Sequence, residues 1–369
     1  MCTGYEKAGW KDIVYISKCR RNPMKIIFFS NQLCERGTET ALIDYGVANK
    51  EILGNETIFC FPKDKIFDSD RYNLLRQDFE VFLFSKIEEL VSFYQKNNVD
   101  LLYVIAGGAD KDIADELEKY NVKTFVHCVF STARRHGTYY CAIHQFLNIH
   151  FNTRYPVLSH IVNKLPELTE NLRKELGIPE DALVFGGYGG KLSFDILYVH
   201  ESVKEIAEQR KDIYFLFMNF EDFMKKDFNL SLKNVIFLPG TTDCIYKRKF
   251  INTCDAMLHA RSNGETFGLS CAEFSICNKP VISYIPPKKI LKRQLKDMLN
   301  NYFGKNKVEA IYAFSHVMNM WKNGIILFYN KKSLFRVILN FRKRNKNYDC
   351  FSKRFNAEKV IKKFAKIIK

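Results

Sequence analysis

Ala260-Arg-Ser-Asn-Gly-Glu-Thr-Phe-Gly-Leu-Ser-Cys-Ala-Glu-Phe274 follows one short apolar run, 256–259, and precedes another, 280–284. Its order is strand, glycine-containing turn, helix. The pattern predicts a helix opening near Phe267 with Thr266 as its N-cap. The amides of Phe267, Gly268 and Leu269 then face an anion, and the helix dipole adds to the attraction. Gly264 and Gly268 let a ligand approach the backbone closely. Glu265 sits just ahead of the helix and Glu273 about two turns along it. At such a place a carboxylate accepts hydrogen bonds from sugar or ribose hydroxyls, or is simply an exposed helical carboxylate.

Outward from this turn, apolar runs recur at 26–30, 57–61, 101–105, 123–129, 183–186, 214–218, 235–238 and 324–328. Several are too short and too uniformly apolar for half-exposed strands. They suit a parallel sheet covered on both faces. The segments 86–95, 113–120, 193–208 and 267–277 read as helices between them, which implies an α/β fold. A break falls at 176–181, where a short helix over 169–176 stops at Gly177 and Pro179 marks a restart. A fresh strand–turn–helix unit opens at Leu183. The chain therefore divides into an appendage at 1–23, a Rossmann-like domain at 24–180, a second at 181–330, and a basic helical tail at 331–369. A cleft separates the two domains.

The 369 residues suffice for two cores, and 47% apolar with 14% aromatic residues argues against disorder. No apolar stretch has bilayer length, and the polar first 21 residues do not read as a secretory signal. The 11 cysteines are scattered without a C-x-x-C pair. That suggests neither a zinc site nor a disulfide framework and fits a reducing cytoplasm. The net charge of +16 is uneven: residues 331–369 carry 14 Lys and Arg against Asp349 and Glu358, a balance of +12. Such a block is a solvated face or meets a polyanion, whether nucleic acid, anionic lipid or phosphorylated substrate. The last helix, about 356–368, gathers Phe355, Ile361, Phe364, Ala365 and Ile368 on one face. It reads as docked on the protein's own body or lying on a membrane surface. Lys247, Arg248 and Lys249 read as an exposed helix face. His136, in Arg134-Arg-His-Gly137, touches a sugar or phosphate or, the preferred reading, is an unpartnered loop residue; the same holds for His160 and His316.

The spacing Glu265, seven residues, Glu273, with Gly-Glu-Thr-Phe-Gly-Leu at its head, resembles the signature of retaining GT-B glycosyltransferases of the group 1, family 4-like type. Asn278-Lys-Pro-Val-Ile282 resembles that family's next strand, and Ser315-His-Val-Met318 leads into its last strand region. Phe185-Gly-Gly-Tyr-Gly-Gly190 stands where the family has a Gly-Arg turn. Cys34-Glu-Arg-Gly-Thr38 stands at its glycine-rich loop beside the diphosphate. His127 ends a strand where many members place a sugar-contacting histidine. The likeness runs from about Lys25 to Leu334. It implies a GT-B fold whose first domain binds acceptor and whose second binds donor, with the last helix returning to the first domain. Glu273 would bind the donor ribose. Glu265, His127 and Lys191 would be catalytic. Gly264, Phe267, Gly268, Leu269, Gly189, Gly190, Gly37 and Arg261 would line the donor site.

One position departs from the family. The diphosphate-clamping Arg is replaced by Gly187, with Lys191 four residues on and Arg261 or Arg36 as other cations. Losing one charge-assisted contact to phosphate removes about 1.5–3 kcal/mol. No cluster of His and Glu has metal-ligand spacing, so the expectation is no metal and no cofactor. The nucleotide-diphosphate-sugar enters as substrate. The function expected is metal-independent transfer of a hexosyl or pentosyl group to a hydroxyl of a glycan, lipid or protein, with retention. The enzyme would be cytoplasmic, with peripheral contact to anionic membrane through the tail. The alternatives are a non-catalytic sugar-nucleotide-binding GT-B protein and, less favoured, a nucleic-acid-binding protein using the basic tail.

Overall fold

The computed structural model describes residues 23–287, 315–321 and 323–369, so all of the expected appendage except Pro23 lies outside the described residues. Two six-stranded sheets organise the chain. The first holds β1 (Lys25–Phe29), β2 (Glu56–Pro62), β3 (Glu80–Phe84), β4 (Leu101–Ala106), β5 (Thr124–Cys128) and β6 (Tyr139–Ala142), in the order β3-β2-β1-β4-β5-β6. The second holds β7 (Leu183–Tyr188), β8 (Ile213–Met218), β9 (Val235–Leu238), β10 (Ala256–His259), β11 (Val281–Tyr284) and β12 (Ile325–Phe328), in the order β12-β11-β10-β7-β8-β9. Every strand pair is parallel. Ile26, Ile27 and Phe28 of central β1 are fully buried, as a strand covered on both faces requires.

Sequence periodicity passes over β3 and β6, the two edge strands of the first sheet. An edge strand is only partly covered, so β3 shows no run of buried residues. Helix α1 (Gly37–Glu51) is also absent from the sequence reading, which places a loop over 34–38. Gly37 and Thr38 are already its first turn. Its apolar stripe is weak because it lies close on the sheet through small residues. A Cβ on Gly46 would come within 2.4 Å of the Phe59 ring. The segment 169–176 is a turn with one helix-like bond, Leu176 N to Leu172 O at 2.9 Å, rather than a helix. It belongs with the second domain. Arg173 donates to the carbonyls of Pro179, Glu180, Ala182 and Thr253 and pairs with Asp255 at 3.2 Å. Asn252 donates to Leu168 O and Glu170 O, so attachment to the second domain begins near 168, before the expected boundary at 180.

The remaining helices that position the site are α2 (Ser69–Asp78), α3 (Ile87–Lys96), α4 (Ile113–Glu118), α5 (Gln145–Phe151), α6 (Leu197–Gln209), α7 (Phe223–Phe228), α8 (Cys244–Thr253) and α9 (Leu269–Ile276). After the undescribed stretch come α10 (Ser315–Met320), α11 (Lys331–Leu339), α12 (Ser352–Phe355) and α13 (Ala357–Ile367). The basic tail does not pack back as one unit. Leu334 and Ile338 of α11 are buried in the second domain's core with Val199 and Val203 of α6. The chain then crosses over. Ser275 Oγ donates to Tyr348 O, and Val162 N donates to Phe355 O at 2.8 Å. Helix α13 reaches the first domain, where Phe364 meets Tyr45, Tyr103 and Phe125 with ring centroids 4.9–6.3 Å apart. Ile361 and Phe364 are fully buried, so of the two readings of this apolar face it is docking on the protein's own body that occurs. Among the described residues no helix is long and apolar enough to cross a membrane.

Candidate functional site

Both sheets reverse their strand order in the middle, between β1 and β4 and between β7 and β10. Loops leaving adjacent strands there run in opposite directions and open a crevice at the strands' carboxyl ends. In the first domain the crevice is a cavity of about 160 Å³. Its wall includes Ser30, Arg36, Thr38, Glu39, Ile105 and Phe130. Glu39, in the first turn of α1, is buried and accepts from Ser30 Oγ at 3.1 Å and Thr38 Oγ1 at 2.9 Å.

In the second domain the crevice holds Glu273 of α9. Its carboxylate accepts from the Tyr188 hydroxyl at the end of β7 and from Lys247 Nζ of α8 at 3.0 Å. Glu273 is therefore a half-buried member of a triad, and the expectation of an exposed basic face on α8 is corrected. Lys247 is half-buried, and Arg248 contacts Cys277 Sγ. Burial pulls the Lys247 ammonium down, yet the Glu273 carboxylate holds it above the ordinary lysine range. The two crevices face each other. A Cβ on Gly37, at the start of α1, would lie 3.6 Å from Leu269 Cδ1, at the start of α9. Asp44 of α1 feels both Glu273 and Lys247. Burial pushes its carboxyl up to about 7, with Arg71 opposing, Glu273 adding and Lys247 opposing, while Asn163 donates to it at 2.8 Å.

That shift has a testable sign. Between about 4 and 7 folded Asp44 keeps a proton that the unfolded chain gives up, so its contribution to stability falls as pH rises through that window. Asp44→Asn is expected to remove this slope and to stabilise the protein above pH 7. Melting temperatures of parent and variant across the window check it, and parallel profiles would exclude the shift.

Glu265 lies in the turn before α9. Burial raises its carboxyl, but His259 and Arg261 outweigh this and hold it at about 2. Arg261 Nη1 is 2.9 Å away and His259 Nε2 3.7 Å. Arg261 thus spends one of its five N–H donors on Glu265. The helix begins two residues later than predicted. Gly268, at φ 82°, is the N-cap, not Thr266, and Leu269, Ser270 and Cys271 head the helix. Gly264 is also at positive φ, 64°. Phe267 is buried against His160, Phe351 and Phe355, so its ring is an anchor beneath the site. Lys191 is exposed in the turn after β7, beside Gly189 and Gly190, and Arg36 is exposed at the N-cap of α1.

The structure moves His127 away from the expected sugar contact. It has no exposed surface, and its ring nitrogens lie 2.6 Å from the Tyr103 hydroxyl and 2.7 Å from Leu158 O. Burial lowers it to about 4, so it is a neutral core residue. His160 lies in a loop, as expected, but is buried between His127 and Phe267 with ring centroids 5.4 Å from each. His136 pairs with Asp112 at 2.7 Å. Its partner is 24 residues away, which is why it read as unpartnered. Two groups with donor atoms within 4.8 Å occur among the described residues: His259, Cys271 and His316, and Asp112, Asp115 and His136. Neither has a ligand spacing visible in sequence, because each joins separate elements. Lys247 and Tyr188 were likewise missed. They stand 26 and 85 residues from Glu273, and no local pattern marks them.

Two parallel Rossmann-like domains facing across a crevice, with the last helix returned to the first domain, define the GT-B fold. No protein-family model and no curated protein sequence matches the chain. Solved structures share its architecture. HepE of Anabaena in complex with UDP and glucose aligns with a TM-score of 0.64 at 17% identity, covering 94% of this chain and 99% of that one. A glycosyltransferase from Rickettsia africae ESF-5 aligns at 0.59 and 15%, covering 94% of each chain. WaaG, a glycosyltransferase involved in lipopolysaccharide biosynthesis, aligns at 0.56 and 12%, covering 93% of this chain and 99% of its own. At such identities the likeness is one of fold.

Proposed function

We propose that this protein is a glycosyltransferase that moves a sugar from a nucleotide-diphosphate donor to a hydroxyl of a glycan acceptor, with retention and without a divalent ion at the diphosphate. The observation that carries the proposal is the Tyr188–Lys247–Glu273 triad at the reversal of the second sheet, beside the head of α9 and opposite α1. A carboxylate offers about four acceptor positions, and Tyr188 and Lys247 take two, leaving room for ribose hydroxyls. The amides of Leu269 and Ser270 at the head of α9 suit the diphosphate, and Lys191 supplies a mobile cation. Charge grows on the leaving diphosphate as the glycosidic bond breaks, so these donors act most strongly in the transition state. The first-domain cavity is of a size and polarity for one acceptor hydroxyl group and its ring. That HepE was solved with UDP and glucose supports a UDP-sugar donor.

Lys191→Ala is expected to lower turnover with a matched donor by roughly ten-fold, about 1.4 kcal/mol of barrier. Single-turnover assays across a UDP-sugar panel measure it, and parental rates in the variant would move the cation elsewhere, to Arg36 first. Transfer is also expected to continue in EDTA with magnesium and manganese omitted. Activity that vanishes there and returns with manganese would overturn the metal-free diphosphate site.

A second reading is a sugar-nucleotide-binding protein without turnover. One observation favours it: of the expected phosphate cations, Arg261 is already engaged by Glu265 and position 187 has no side chain. A donor that binds measurably yet is never transferred or hydrolysed would select this reading.

A further inference from the structure

We propose that His259, Cys271 and His316 form a buried site for a zinc-class divalent ion. All three side chains are buried, and their donor atoms lie within 4.8 Å of one another. They converge from the end of β10, the first turn of α9 and the start of α10.

Hydrogen bonds set the orientation of the rings. Ser283 Oγ lies 3.0 Å from His259 Nδ1 and 3.0 Å from His316 Nε2. It lies 3.3 Å from Tyr284 O. A hydroxyl that donates to Tyr284 O has lone pairs for an N–H from each ring. One polar group on the far nitrogens of both imidazoles is the usual second layer of a histidine metal site, where it fixes the tautomer. With the ring proton on Nδ1, the His259 Nε2 lone pair points inward. That atom is buried without a hydrogen-bond partner, an arrangement rare in folded proteins.

Glu265 Oε1 lies 3.7 Å from His259 Nε2 but accepts from Arg261 Nη1 at 2.9 Å, so it stays outside the ligand set. Two ligands on one tetrahedral zinc stand roughly 3.3–3.6 Å apart, so an ion fits among three donor atoms within 4.8 Å with an inward movement. His316 Nδ1, 3.4 Å from Glu265 O, would exchange that long contact for the ion. Cys271 completes the set. On binding, its thiol loses a proton to solvent and the thiolate joins the ion. Two imidazoles and a thiolate select a borderline-soft tetrahedral ion over magnesium or calcium, which take oxygen ligands. Three protein ligands leave the fourth position to water, and the ion would tie β10, α9 and α10 together. The site does not depend on the transfer reaction.

The test uses the full chain, purified without a histidine tag after growth with zinc. Elemental analysis is expected to find about one zinc per chain, and Cys271→Ser and His316→Ala to lose most of it. Chelator-stripped parent protein given cobalt(II) is expected to show a thiolate-to-cobalt charge-transfer band, absent in Cys271→Ser. Zinc, but not magnesium, should raise the melting temperature of the stripped protein. Where a variant fails to fold, the cobalt spectrum and the zinc-dependent melting of the parent decide alone. Parent protein with only background zinc and no thiolate–cobalt band overturns the site. So does zinc retained undiminished in folded Cys271→Ser. The metal-free alternative, in which Ser283 donates to His316 and the cluster is a plain hydrogen-bond chain, predicts those two results.

Discussion

Gly187→Arg is expected to unfold the second domain rather than to restore a phosphate clamp. Resemblance to the retaining family suggests that an arginine belongs at this position and that its absence weakens the site. The structure removes the premise. Gly187 lies within β7, paired to β8 through Phe217, and β10 runs along its other side. A Cβ there would stand 2.7 Å from the Leu258 carbonyl oxygen, and that atom is backbone of a neighbouring strand, unable to swing aside. Gly186 is equally tight, with its Cβ position 2.4 Å from Cys254 Sγ. Even Gly187→Ala forces strand separation and is expected to cost about 1–3 kcal/mol. Arginine adds an unpaired guanidinium to a packed interior, and the combined cost is on the order of 4–5 kcal/mol or more. That is comparable to the whole stability of many domains. Soluble yield and denaturant midpoints measure it. A Gly187→Arg protein with parental stability and faster transfer would show that the arginine slot is open after all.

Glu273→Gln is expected to raise the Kd for a UDP-sugar by about 30- to 150-fold, the 2–3 kcal/mol of a charge-assisted hydrogen bond. Glutamine keeps the shape of the side chain but loses the charge that receives Tyr188, Lys247 and the proposed ribose hydroxyls. The variant should also be less stable, because half-buried Lys247 loses its partner at 3.0 Å. Sequence alone suggests the opposite, that a cleft carboxylate does little for the fold. Adding Lys247→Met separates the two effects: stability should return while donor affinity stays low. Calorimetric titration with the donor reads the first and thermal unfolding the second. Parental affinity in Glu273→Gln would remove the ribose assignment.

Local pattern carried the sheet cores. The ten apolar runs read from sequence all coincide with strands, because a strand buried on both faces must be apolar throughout its own length. The turn at 260–274 was legible for a similar reason, since a helix opening on glycine leaves its mark within a few residues. What failed was anything whose meaning depends on a neighbour. β3 is an edge strand with mixed exposure, β6 is only four residues long, and α1 hides its apolar stripe by lying close on β2 through Gly46. The N-cap was misplaced by two residues, since the positive φ of Gly268 is a backbone property that Thr266 mimics in composition only.

By itself, then, the sequence determined an α/β protein of two parallel halves, a glycine-led helix with Glu265 just ahead of it and Glu273 along it, and a final helix with one apolar face. Each is a short-range regularity imposed by burial or by backbone geometry. Only the tertiary structure decided what those residues do. It drew Tyr188 and Lys247 onto Glu273, engaged Arg261 with Glu265, and buried His127 against Tyr103 and Leu158 O. It also brought His259, Cys271 and His316 within reach of one another. Hydrogen bonds and charges act over a few ångströms in space, whatever the separation along the chain, so the partners that set the chemistry come from strands and helices that meet only once both sheets have closed.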